Sequence, residues 1–267
     1  MTISNDSIKS IAKEIYKSNY IKIIVVTAVF LSVSFICSNI SGILSFSTGE
    51  YFSLAIYALL SVFVLLPLFV GICRFFWRLS CGVADNPITI FYYFSCKKLY
   101  CKVFVLIFSL GIRAIINYFV FSIPAFVLKI ISGTWLYSLI KTPIPIWTVN
   151  LSGIIGWLSA IAVVATIISM LKFYLAPMLF VADENIDVAE ALHLSRVVTK
   201  RTMLDFVFLG LSFFGWSLLS VFVVPLIFTL PYITISYLVH CSYSVSAFNE
   251  EVTKINHDDI PTYIAGV

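Results

Sequence analysis

The chain has 267 residues, 61% of them hydrophobic and 11% charged, with a formal net charge of +4 and a mean hydropathy of +1.04. Ordinary soluble domains carry roughly 45–50% apolar and about 25% charged residues, so a water-soluble globule is excluded. The apolar runs of spanning length specify an all-α fold, a polytopic membrane helical bundle of about six transmembrane helices with amphipathic helices at its cytoplasmic surface.

Neither the alternating ten-residue strands of a membrane barrel nor a Lys/Arg-rich nucleic-acid motif is present. The six cysteines form no CxxC pair and read as buried hydrophobes or free thiols. Residues 1–20 place Ile8, Ile11, Ala12 and Ile15 at helical spacing, with Lys9, Lys13 and Lys17 elsewhere and Asn5 and Asp6 as caps. That pattern predicts an N-terminal cytoplasmic amphipathic helix, suited to an anionic inner leaflet or to water. The first apolar run starts only at Ile21 and lacks a small-residue cleavage site, so no cleavable signal peptide is expected.

A six-span transmembrane domain is expected over 21–249, followed by a polar cytoplasmic tail over 250–267. The first span is predicted from Lys22 to Leu44 and the second, after the polar turn SFSTGE, from Tyr51 to Phe76. Pro67 kinks the second span or shifts its end, and Trp77 and Arg78 stand where an interfacial anchor belongs. Residues 79–102, with aromatics beside Lys97, Lys98 and Lys102, suit a helix at headgroup level.

The third span, Val103 to Val127, contains Arg113. At 1.5 Å per residue the arginine falls roughly 15 Å beyond Val103, near the midplane, where a charge needs partners. Asn117, one turn along, and Asp205 are candidates, and Arg113 is read as a helix-locking group ahead of a ligand contact. Between Lys129 and Asn150 lies a loop whose Trp135 and Trp147 suggest an outer aromatic belt, punctuated by Pro143 and Pro145. The fourth span, Ser152 to Tyr174, carries Ser152, Gly156 and Ala160 at intervals of four, a register that lets another helix approach.

After Pro177 comes a charged segment in which Asp187 and Glu190 resemble a capping box. A surface helix is predicted from Val188 to Arg201, with Val188, Ala191, Leu192, Ser195 and Val198 on one face. The following forty apolar residues exceed one crossing, so a fifth span is expected at Leu204–Val223, a turn at Pro225, and a sixth span at Leu226–Ala247. A weak echo relates the halves: Pro67-Leu-Phe-Val and Pro177-Met-Leu-Phe-Val each precede an amphipathic stretch and another span.

With the N-terminus inside, all of the 17 basic residues except Lys129, Lys141 and Arg113 fall on the cytoplasmic side. Both termini are therefore expected in the cytoplasm. No HExxH, P-loop, Gly-Xaa-Ser-Xaa-Gly or paired-carboxylate motif occurs, so no catalytic, cofactor or metal residues are assigned and an enzyme is the minority reading. His240, alone in the sixth span, reads as hydrogen-bonded to a neighbouring helix. Asp205, His240 and Arg196 are the only groups a lipid-modifying site has to draw on.

The motifs ALHLSRVVTKR, LSFFGWSLL and LPYITISY resemble those of uncharacterised bacterial integral membrane proteins of domain-of-unknown-function family 975. The resemblance rests on Ala191, Leu192 and Ser195, on Ser212, Phe213, Gly215 and Trp216, and on Pro231 and Tyr232; Phe214 replaces a more usual aliphatic residue. It is close from Tyr174 to Glu250 and looser from Tyr51 to Leu110. It implies a bacterial plasma-membrane protein of about six spans and brings no known activity. Gly215 is read as a point of close helix approach, with Gly156 as its partner. The expected function is a non-enzymatic membrane bundle engaging membrane lipids, a membrane-protein partner or a second copy of itself, without nucleic acid. A small-molecule or lipid transporter is the alternative.

Overall fold

The computed structural model describes residues 5–48, 50–83, 85–131, 146–183, 186–219 and 223–255. They are helical, and no strand occurs among them. The helices are α1 (Asn5–Ser18), α2 (Tyr20–Thr48), α3 (Glu50–Leu60), α4 (Leu66–Ser80), α5 (Lys97–Ile131), α6 (Ile146–Met170), α7 (Ala176–Ala182), α8 (Val188–Ser212), α9 (Phe214–Leu219) and α10 (Val223–Ile255). A π-helical turn, Ser61–Leu65, joins α3 to α4, and 3₁₀ segments occupy Pro87–Phe94 and Leu171–Phe173. Two compact units result, one of residues 1–107 with 174–267 and one of residues 108–173.

Among the described residues, five helical stretches are long and apolar enough to cross a membrane: Tyr20–Ile43, Tyr51–Ser80, Lys97–Ile130, Gly153–Ala182 and Pro225–Asn249. The expected fifth span differs. Helix α8 runs unbroken from the charged segment into the apolar one, because no proline lies between Arg201 and Ser212. Its apolar part, Thr202–Ser212, is shorter than a crossing. The break comes at Phe213, whose N–H bonds to the Gly210 carbonyl, and α9 follows at once. Pro225 lies in the first turn of α10, where its missing N–H costs nothing. The tail's first residues continue α10 to Ile255. Trp135, Lys141, Pro143 and Pro145 lie outside the described residues; Trp147 and Asn150 belong to α6.

In the larger unit, burial changes along the helices. Side chains of α3 such as Tyr51, Leu54 and Leu59 are exposed, whereas beyond the π-turn Leu68, Ile72, Phe75 and Phe76 are fully buried. Helix α8 reverses the order: Val188, Ala191, Leu192, Ser195 and Val198 are buried, and Leu204, Phe208 and Leu211 are exposed. Outward apolar side chains are what a hydrocarbon solvent accepts, so the exposed stretches face lipid while the buried ones form a protein core. The face read from the sequence on α8 thus rests on the bundle, chiefly on α7. Asp187 is the N-cap residue but makes no side-chain cap bond, so the capping box is not closed. Helix α1 packs Ile8 and Ala12 against α10, and Lys9 lies over the Phe213 ring at 5.1 Å from its centroid.

Pro67 and Pro177 mark corresponding breaks. Each occupies the first turn of a new helix, α4 and α7, and the two helices pack on each other. Pro67 cannot donate to the Phe63 carbonyl four residues back; the Tyr100 hydroxyl donates to that oxygen at 2.9 Å instead. The segment expected at headgroup level folds back onto α4, capped by Asn86, whose Oδ1 accepts from the Ile88 N–H at 3.3 Å. Gly71 makes that approach possible, since a Cβ there would collide with the Ile90 carbonyl. Arg74 stacks on the Tyr92 ring at 3.5 Å and Arg78 pairs with Asp85 at 2.6 Å. Trp77 is consequently buried in this unit and is not an interfacial anchor.

In the smaller unit, Arg113 sits over the Phe173 ring, 5.1 Å from its centroid, and the Asn117 amide lies 3.8 Å from the Met170 sulfur. These contacts set α5 antiparallel to α6. Helix α6 has 25 residues and is about 37 Å long, more than a full crossing before Leu171 is reached. Arg113 stands near the middle of the Lys97–Ile130 stretch and meets Phe173 just beyond the C-terminal end of α6, and Asn117 is partnered by Met170.

Candidate ligand cavity

A cavity of about 180 Å³ opens in the larger unit between α4, α7, α8 and α10. Its walls are apolar and aromatic, with Phe69 from α4, Met178 from α7, Phe206 from α8, and Tyr237 and Leu238 from α10. The breaks described above create it: Pro177 restarts the fourth span as α7 and itself forms part of the lining. The thiols of Cys73 and Cys241, both free and buried, line it from facing helices.

Tyr174 brings polarity to this wall. Its ring stacks on Phe206 with centroids 3.8 Å apart, and its hydroxyl lies 3.3 Å from Thr202 Oγ1 and 3.4 Å from His240 Nδ1. Thr202 Oγ1 also lies 3.5 Å from the Val198 carbonyl, a second acceptor for its proton. The Tyr174 hydroxyl thus joins Thr202 Oγ1 to His240 Nδ1, and the tautomer of the imidazole decides which of the two, hydroxyl or ring nitrogen, donates. Asp205, one turn beyond Thr202 on α8, is near enough for its charge to act on both Tyr174 and His240.

The structure thus brings Thr202 and His240 to Tyr174, with Asp205 one turn beyond Thr202 on α8. Arg196 is exposed elsewhere on α8, and Arg113 and Asn117 belong to the other unit. His240 does bond to another segment, as its isolation in the sixth span suggested. Tyr174 itself had no sequence signal beyond its place at a helix break, because its partners are 28 and 66 residues away. A Cβ placed at Gly156 or Gly215 would meet nothing within 4 Å, so among the described residues neither is a point of close approach. Ala160 is likewise exposed, and the side chain of Ser152 lies outside the described set.

Helix α10 adds a buried polar stripe, Thr229, Ser236, His240 and Ser244, on one face. Ser236 and Ser244 donate to carbonyls of their own helix, at 2.8 and 2.9 Å. The Thr229 hydroxyl, like that of Thr199 on α8, has no hydrogen-bond partner among the described residues. No group of three metal-ligating side chains occurs among the described residues.

A family model described as "Protein of unknown function (DUF975)" matches residues 1–244. No curated protein and no solved structure matches the chain.

Proposed function

We propose, from the premise that the chain belongs to the DUF975 family of proteins of unknown function, that it is a non-enzymatic membrane bundle that binds a lipid-like molecule in the cavity at Tyr174. One observation carries this reading: a largely apolar cavity whose hydroxyl-bearing lining residues are Tyr174, Tyr237 and Thr234, with Tyr174 held by Thr202 and His240. An engineered cavity of about 150 Å³ lined by Leu, Ile and Phe binds benzene. A space of about 180 Å³ therefore suits a ring or a chain segment of about six to eight carbons, with one polar atom held by the Tyr174 hydroxyl.

Cys73 and Cys241 supply the reporters. In a variant keeping only these cysteines, a membrane-permeant N-alkyl maleimide labels the cavity, and a saturating medium-chain alcohol such as octanol should slow that labelling several-fold. Equal rates with and without octanol would remove the reading.

For topology we place the protein in a bacterial plasma membrane with both termini cytoplasmic. Thr202–Leu219, eighteen residues broken at Phe213, supplies the sixth crossing at about 27 Å. The positive-inside distribution supports this arrangement.

A second reading, passage of a small polar solute, draws on the polar stripe of α10 and the two unpartnered hydroxyls, which are places for internal water. Solute flux into proteoliposomes that His240→Leu abolishes would favour it. Flux equal to that of protein-free vesicles would exclude it.

A further inference from the structure

The geometry points to the Arg113 face of α5 as the docking surface for another protein's membrane-spanning helix, one that carries a carboxylate within the hydrocarbon. Arg113 stands near the middle of the Lys97–Ile130 stretch, and Phe173, whose ring centroid is 5.1 Å from its guanidinium, lies inside the Gly153–Ala182 stretch. A guanidinium stays charged at every pH a protein meets, and a charge held in hydrocarbon is costly unless an anion or several acceptors meet it. Among the described residues Arg113 has the Phe173 face and no carboxylate within ion-pair distance. An aromatic face attracts the cation but gives its in-plane N–H groups no acceptor.

Asn117 shows the same shortfall one turn along. Its amide offers two N–H donors and a carbonyl acceptor, yet the described residues engage it through a single contact, 3.8 Å to the Met170 sulfur, which is a weak acceptor. Arg113, Ile116, Asn117 and Val120 follow helical spacing and share one side of α5. Ile116 and Val120 are exposed, while Arg113 and Asn117 are half-buried. Only 11% of the most apolar part of Lys97–Ile130 is buried, against 44% for Pro225–Asn249, so faces of this helix are left uncovered. Charge complementarity selects what covers them. Donors at this depth meet acyl chains and not phosphates, so the matching acceptor has to come from a second span. One carboxylate accepts from the guanidinium fork and from the Asn117 amide, and apolar side chains of the same helix cover Ile116 and Val120. This surface belongs to the smaller unit and is independent of the Tyr174 cavity.

The test places the full-length protein in phosphatidylcholine liposomes with a synthetic spanning peptide of about 20 leucines, flanked by lysines, dansyl-labelled, and carrying one central Glu or Gln. Energy transfer from the protein's tryptophans reads association. Wild type should bind the Glu peptide about ten-fold more tightly than the Gln peptide, a comparison that needs no variant. Arg113→Gln should bring the two peptides within about two-fold of each other, with circular dichroism checking its fold, and Arg113→Lys should keep most of the preference. Asn117→Leu should lower the preference by a smaller factor than Arg113→Gln does. Equal binding of the two peptides by wild type, or an undiminished preference in Arg113→Gln, would overturn the proposal. Two other results would also sink it: loss of the preference when phosphatidylglycerol replaces about a fifth of the lipid, which assigns Arg113 to a lipid phosphate, and peptide-free self-association that Arg113→Gln abolishes, which assigns it to a second copy.

Discussion

Replacing Gly71 by alanine should destabilise the larger unit, although the same change elsewhere in a helix does the opposite. Alanine exceeds glycine in helix propensity by about 0.8–1.0 kcal/mol. At Gly71 the new methyl would collide with the Ile90 carbonyl, a backbone atom that cannot rotate away. The Pro87–Phe94 segment must lift from α4, loosening the buried Ile90 and Tyr93 and the Arg74 stack on Tyr92. Overpacking of this kind costs about 1–3 kcal/mol, and exposing one buried isoleucine costs about 1.5–3 kcal/mol. The sum, about 2.5–6 kcal/mol, outweighs the propensity gain by about 1.5–5 kcal/mol. Gly156→Ala has the same propensity gain with nothing within 4 Å of the new methyl, so it should be neutral or stabilising. Thermal unfolding in detergent, followed by intrinsic fluorescence, should show a lower midpoint for Gly71→Ala and an equal or higher one for Gly156→Ala. A Gly71→Ala midpoint at or above wild type would refute the close approach.

Three further outcomes are expected. Tyr100→Phe withdraws the hydroxyl that serves the Phe63 carbonyl beside Pro67, and should cost about 1 kcal/mol of stability in detergent; restoring a donor with Pro67→Ala in the same chain should recover part of the loss. Tyr174→Phe keeps the stack on Phe206 but removes the contacts to Thr202 and His240, so it should weaken octanol protection of Cys73 and Cys241 while leaving the fold intact by circular dichroism. A cysteine at His193, which is exposed, should react with an impermeant maleimide only after permeabilisation, and one at Ser47 should react in intact cells; the reverse pattern would invert the topology. Ser195 is fully buried and unsuited to that experiment.

Spans and faces were legible because they depend on local composition. The five buried residues on one side of α8 follow from 3.6-residue periodicity, and the breaks at Pro67 and Pro177 follow from the missing N–H. The faint echo between those prolines corresponds to a pair of packed helices. What depended on partners distant in the chain was not legible. Gly71 carries no pattern that distinguishes it from Gly156, and only the carbonyl of Ile90 makes it special. Nor could the third span alone name Phe173 as the ring against which Arg113 rests. The same limit hid Tyr174, whose role exists only where three segments meet.

The most direct measurement of the central claim is photolabelling with a diazirine analogue of octanol, followed by peptide mapping of the full-length protein in liposomes. The label should fall on cavity-lining residues of α7 and α10, Met178 and Leu238 among them, and Leu238→Trp, which fills the space, should abolish it while circular dichroism stays unchanged. Labelling spread over the exposed faces of α2, α3 and α6, and insensitive to Leu238→Trp, would contradict a ligand cavity at Tyr174.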